Sequence, residues 1–179
     1  LEEFNTGYGL DFVAISNLAG HQIKPYLIHA DKDQLIYPNC LVNKNTFTVI
    51  QEDSFYAIEF FVSNGTEQFP KMENSRNTHF MVNPLKLKKL TKMTVHNNFY
   101  NQIRDIIVAN FKTLPFCQRF IQELNSDFST GEVNDALDYF FSLGILSKFP
   151  PVLDSDTNTC ISQHEETVYV TTNKTITLS

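Results

Sequence analysis

The chain has 179 residues, 42% of them hydrophobic, with 16 Phe, 7 Tyr and no Trp. That length suits one large domain or two small ones with a proper core. Fourteen basic and 20 acidic residues leave a net charge of −6, which argues against broad polyanion binding, because phosphate affinity is largely electrostatic.

No run of 18 apolar residues occurs, so no membrane-spanning helix is expected. The N-terminus lacks the basic-then-apolar pattern of a signal peptide, a lack of little weight in a chain that begins at Leu1 rather than Met. Cys40, Cys117 and Cys160 are widely spaced and odd in number. Neither C-x-x-C nor H-x-x-x-H spacing accompanies them, so they read as buried free thiols of a reducing, intracellular compartment. Two sequons, at Asn64 and Asn173, are short enough to arise by chance and do not establish secretion.

Residues 1–83 read as an antiparallel β-rich domain of about five strands, by the usual strand length. LDFVAIS (10–16), a turn at 17–20 and HQIKPYLIH (21–29) form the first candidates, with Pro25 demoting the second run to an edge or bulge. NTFTVIQ (45–51) and SFYAIEFFV (54–62) form the clearest pair, bent at Glu52–Asp53. In the latter, Tyr56, Ile58 and Phe60 share one face while Phe55, Ala57, Glu59 and Phe61 share the other. Two mostly apolar faces predict a central strand covered on both sides. Residues 63–77 lack apolar periodicity and read as a loop, followed by a short strand at 78–83.

A connector at 84–96 carries Lys86, Lys88, Lys89 and Lys92. As a strand it places Leu85, Leu87 and Lys89 on one face, opposite Lys86, Lys88 and Leu90; as a helix it places Leu87, Leu90 and Met93 on one stripe. The lysines are candidate anion contacts, although a short run without interleaved aromatics is usually a solvated face.

Residues 97–179 read as the second domain. Phe99, Ile103, Ile106, Ile107 and Phe111 have helical spacing. A second helix is expected over 114–124, with Pro115 in its first turn. A third opens at Ser129-Thr-Gly-Glu132, a capping box, carries the stripe Val133, Ala136, Leu137, Phe140, Phe141, and stops at Gly144. A strand at 145–149, a polar loop at 154–158 and the alternating segments TCISQ and TVYVTTNKTITLS complete the order. Residues 114–149 resemble the F-x-x-x-L … E-V-x-x-A-L-x-x-F-x-x-L-G-I-L pattern of winged helix-turn-helix domains. The resemblance implies three helices and a β wing, and it specifies a packing solution more than an activity.

In such folds the third helix reads DNA, but here its outer face carries Asn134, Asp135, Asp138, Tyr139 and Ser142, with no Lys or Arg between Arg119 and Lys148. Carboxylates meet phosphates unfavourably, so these five residues are expected to contact a protein or peptide instead. Nucleic acid, if bound, would use the lysines. His29-Ala-Asp31 has the H-x-D form of a facial iron triad, with His79 or His96 as a distant third ligand, but the β-rich part is small for such a barrel. His164-Glu165-Glu166 reads as a solvated turn. Nucleotide, acyl-transfer and metal motifs are absent.

The sequence therefore predicts an α+β chain, a β-rich part followed by a winged-helix-like part, acting as a non-catalytic protein- or peptide-binding module of a larger complex, without metal or other cofactor. The alternatives are a nucleic-acid-associated regulator and an accessory part of a multi-chain enzyme. Oligomeric state is not legible.

Overall fold

The computed structural model describes residues 1–31, 35–36, 49–67, 70–72, 77–156 and 158–178. The fold is α+β, and every strand pair among the described residues is antiparallel. Two compact units form, one from Leu1–Met72 with Val152–Ser179, the other from Glu73–Pro151.

The first unit starts with helix α1 (Glu2–Tyr8), which no apolar periodicity announces, and ends it at Gly9. Strands β1 (Val13–Ala14), β2 (Gly20–Ile23), β3 (Leu35–Ile36) and β4 (Ser54–Ser63) follow. Pro25 lies just past β2, where the backbone turns back through Tyr26 at φ 59°. β4 is long because its aromatic and β-branched run favours a pleated surface. The turn before it contains Asp53 at φ 54°. Of the expected strand at 45–51, residues 45–48 lie outside the described residues and 49–51 are not strand.

The chain leaves this unit through β5 (Lys71–Met72) and returns through β9 (Val152–Leu153), which pair with Met72 opposite Val152. The second unit is thus an insertion between two paired strands. β10 (Ile161–Val170) then runs beside β4 over its whole length, from Ile161 opposite Ser63 to Val170 opposite Ser54, and β11 (Thr175–Thr177) folds back on it. The sheet order is β11-β10-β4-β2-β3, with β1 pairing the end of β4.

This pairing corrects the expected wing. TCISQ and TVYVTTNKTITLS continue the sheet of the first unit, and the two apparent segments supply one ten-residue strand plus a hairpin return. The expectation that β4 is covered on both faces is also not met. Tyr56 and Ala57 are buried, but Phe55 and Phe60, on opposite faces, remain 43% and 44% exposed.

The second unit has its own core. β6 (His79–Val82) is the middle strand of a three-stranded sheet. A 3-10 turn at Pro84–Lys86 and helix α2 (Leu87–Lys92) follow it. Leu90 is buried and Leu87 and Met93 pack partly against the core, so the helical reading of the connector is the observed one. α3 (Asn98–Ile106) opens on Asn97, whose side chain accepts from the Phe99 N–H, and continues as a π turn to Phe111. Pro115 is not in a helix. It precedes β7 (Phe116–Cys117), an edge partner of β6, and α4 begins only at Gln118 and runs to Leu124.

α5 (Thr130–Ser142) has the predicted reciprocal cap between Ser129 and Glu132. Gly144 takes φ 65° beyond its end, a left-handed conformation that suits a residue without Cβ. β8 (Leu146–Phe149) then pairs with β6. Val133, Ala136, Leu137 and Phe140 of α5 join Phe80, Val82, Ile103, Ile107, Phe116 and Ile121 in one buried cluster. Each large side chain so buried is worth about 1.5–3 kcal/mol of transfer free energy.

Among the described residues no helix is long and apolar enough to cross a membrane.

Candidate functional site

Strand register assembles a polar constellation on the β4 sheet. Side chains alternate across a strand, and residues directly opposed on paired antiparallel strands share a face. His21 of β2 opposes Ala57 of β4, and Glu59 of β4 opposes Glu165 of β10. His21, Glu59, Glu165 and, two residues from the last, Gln163 therefore project from the same face. At the other end of that face Phe55 and Tyr169 oppose each other and stack with ring centroids 4.7 Å apart.

β2 approaches β4 closely enough only because residue 20 is glycine. A Cβ there would lie 2.6 Å from the Ala57 carbonyl oxygen and 3.2 Å from the Glu59 backbone nitrogen. Gly20 thus sets the strand spacing that brings the next residue, His21, to Glu59.

His21 Nε2 lies 3.4 Å from Glu59 Oε1, and the two side chains are only 10% and 14% exposed. Glu59 Oε2 accepts from Gln163 Nε2 at 2.9 Å, and the same nitrogen donates to Glu165 Oε2 at 3.3 Å. The His29 ring meets His21 edge-on at 4.4 Å. Burial holds the His29 imidazole below its ordinary value. His21 pushes in the same direction and Glu59 opposes it. The buried Nδ1 of His21 has no hydrogen-bond partner among the described residues.

Chemically, one imidazole and two carboxylates form a donor set suited to a divalent cation. Two ligand atoms about 2.1 Å from one tetrahedral ion stand about 3.4 Å apart, which is the observed His21–Glu59 separation. Glu165 is one amide bridge further away. Among the described residues no three His, Cys, Asp or Glu side chains converge on a single point. The chain's residues fit part of a cation site.

The residues singled out in the sequence lie elsewhere. Lys86, Lys88, Lys89 and Lys92 are all exposed on the 3-10 turn and α2, and have no ion pair among the described residues. On α5, Asp138 is engaged by Lys148 at 2.7 Å, and Tyr139 packs on Tyr100 with centroids 5.2 Å apart. Asn134 is half-buried, Asp135 and Ser142 are exposed, and the Ser142 hydroxyl donates to the Tyr139 carbonyl.

His164-Glu165-Glu166 is part of β10 and not a turn, and its middle residue faces Glu59. The His29 ring meets His21 edge-on, and His79 belongs to the other unit. Cys117 is buried as expected, Cys160 is exposed, and Cys40 lies outside the described residues. Sequence reasoning puts Glu59 on a strand face without assigning it a role, and misses His21 and Gln163. The available signal is a single carboxylate at the centre of the apolar run FYAIEFFV.

No family model matches the chain. Over 155 residues it is 32% identical to methionine aminopeptidase 2 of Dictyostelium discoideum, covering 87% of this chain and 31% of that protein. Methionine aminopeptidase 2 of Debaryomyces hansenii is 33% identical over 78% of this chain and 30% of its own length. That of Encephalitozoon hellem is 31% identical over 87% and 39%. The chain thus spans about a third of the length of these relatives. Among solved structures, a thermophilic Arx1 superposes with a TM-score of 0.69 at 16% identity, covering 93% of this chain and 41% of that one, a likeness of fold. Similarity to named aminopeptidases across nearly the whole chain overturns the expected non-catalytic, winged-helix interaction module.

Proposed function

We propose that this chain is part of a methionine aminopeptidase 2-like peptidase and supplies one side of its cation site. The observation that carries the reading is that His21, Glu59 and Glu165 share one sheet face, with His21 3.4 Å from Glu59, in a chain that resembles those enzymes.

The cation would be held by His21 Nε2 and by the carboxylates of Glu59 and Glu165. When bound, it would supply Lewis-acid polarisation of a peptide carbonyl and an activated water. The chain's own contributions follow from their surroundings. Glu59 is mostly withdrawn from water, which strengthens its attraction for a cation. His21 is fixed by the close β2–β4 approach. His29 borders the site, its ring edge-on to that of His21. The peptide partner in this reading is a substrate with a free N-terminal methionine.

The test is release of methionine from a Met-initiated peptide by the natural polypeptide carrying this sequence, with Mn2+ or Co2+ added. Glu59→Gln keeps the side-chain shape and removes the charge, and is expected to lower kcat/KM by at least about 100-fold, as loss of a catalytic electrostatic group does. Full activity in Glu59→Gln would refute the assignment.

A further inference from the structure

Glu59 and Glu165 are directly opposed across β4 and β10. Like charges in that relation destabilise a strand pair, so a sheet that keeps them needs something between them. Gln163 provides it. Its amide nitrogen donates to Oε2 of both carboxylates, at 2.9 and 3.3 Å. A primary amide nitrogen carries two N–H groups and no net charge. It can therefore tie the two carboxylates together while leaving both negative.

A lysine in that place would also bridge them, but its charge would cancel much of what a cation is drawn to. An apolar residue would leave the carboxylates to repel each other. Gln163 reaches Glu59 diagonally, from the position two residues before Glu165 on the same face. Its hold on Oε2 leaves Glu59 Oε1 as the atom 3.4 Å from His21 Nε2.

We propose that Gln163 is the positioning residue of this site, its amide nitrogen spacing Glu59 and Glu165 so that both face one divalent cation together with His21. The proposal rests on the cation-site reading above. Gln163 does not touch the cation. It acts through the two carboxylates, as partners of ligating side chains do in metal sites, where their loss weakens affinity by about 10- to 100-fold.

The experiment is titration of the metal-free natural polypeptide carrying this sequence with Co2+ alone, read by calorimetry and by the visible absorption of the bound ion, with thermal unfolding followed in parallel. Gln163→Met keeps the length of the side chain and removes the donors. It is expected to lower Co2+ affinity about 10- to 100-fold and to change the absorption envelope, with the unfolding midpoint close to wild type because residue 163 is exposed. Gln163→Lys restores a donor between the carboxylates and is expected to unfold no earlier than wild type, yet to bind Co2+ more weakly.

Wild-type affinity and spectrum in Gln163→Met would overturn the positioning role while leaving the cation site standing. Wild-type affinity in Gln163→Lys would overturn it too, since a merely structural bridge would then suffice. If Co2+ binding by the wild type is absent, or survives Glu59→Gln, the cation-site reading itself fails and the role of Gln163 falls with it.

Discussion

Replacing Gly20 by alanine tests the link between the backbone of the sheet and its polar face. The new Cβ would lie 2.6 Å from the Ala57 carbonyl oxygen, 3.2 Å from the Glu59 nitrogen and 3.3 Å from Ile58 Cα. All three are backbone atoms of a strand paired on both sides, so none can rotate away. The closest contact falls about 0.9 Å short of the roughly 3.5 Å at which non-bonded atoms attract, and β2 must retreat from β4. Overpacking of this kind costs about 1–3 kcal/mol, whereas the reduced freedom of the unfolded chain returns only about 0.4–1 kcal/mol. The net effect is destabilising.

The site should suffer more than the fold. A retreat of about 0.9 Å along the His21–Glu59 line opens that pair to about 4.3 Å, just beyond the roughly 4.2 Å that two bonds of about 2.1 Å can span. The assay is urea unfolding combined with amide exchange at Ala57 and Glu59, beside a Co2+ titration. Faster exchange at these amides and a loss of Co2+ affinity are expected. Unchanged exchange and unchanged affinity would refute the argument that Gly20 sets the strand spacing.

Other outcomes follow from the second unit. Phe140 is fully buried among the helices and β strands of that unit, so Phe140→Ala is expected to cost about 3–5 kcal/mol, measured by denaturant unfolding. Ser129→Ala removes the donor and acceptor of the α5 cap and should cost about 1 kcal/mol in the same measurement. The Ser129 hydroxyl, and then its backbone N–H, hold the Glu132 carboxyl below its ordinary value of 4.5. A carboxyl whose pKa is lower when folded contributes stability that is complete above its unfolded value and is lost as pH falls through the folded one. Wild type should therefore lose more of the α5 cap than Ser129→Ala when unfolding is compared at pH 7 and pH 3.

α5 is legible in full in the amino-acid sequence because every interaction that defines it is local. The cap closes within four residues, from Ser129 to Glu132, and the stop at Gly144 depends on one backbone conformation. The apolar stripe is equally plain, since helical periodicity repeats within a turn. The outer face of the same helix is legible as a surface, with Asp135, Asp138 and Ser142 exposed. Asp138 and Tyr139 serve their own unit, through Lys148 and Tyr100.

The α+β class, the run of strands, the helical stripes and the α5 caps were thus determined by the sequence alone, through neighbours a few residues apart. The tertiary structure decided that the C-terminal hairpin completes the first sheet and that β7 replaces the first turn of an expected helix. It also decided that His21, Glu59 and Glu165 share one face of the sheet. Their positions are 38 and 106 residues apart along the chain, and they share that face only because β2 and β10 each pair with β4 in one register. A slip of one residue would turn Glu165 to the opposite face. Side-chain alternation tells which residues share a face of one strand. Which strands lie side by side, and in what register, is a property of the folded sheet.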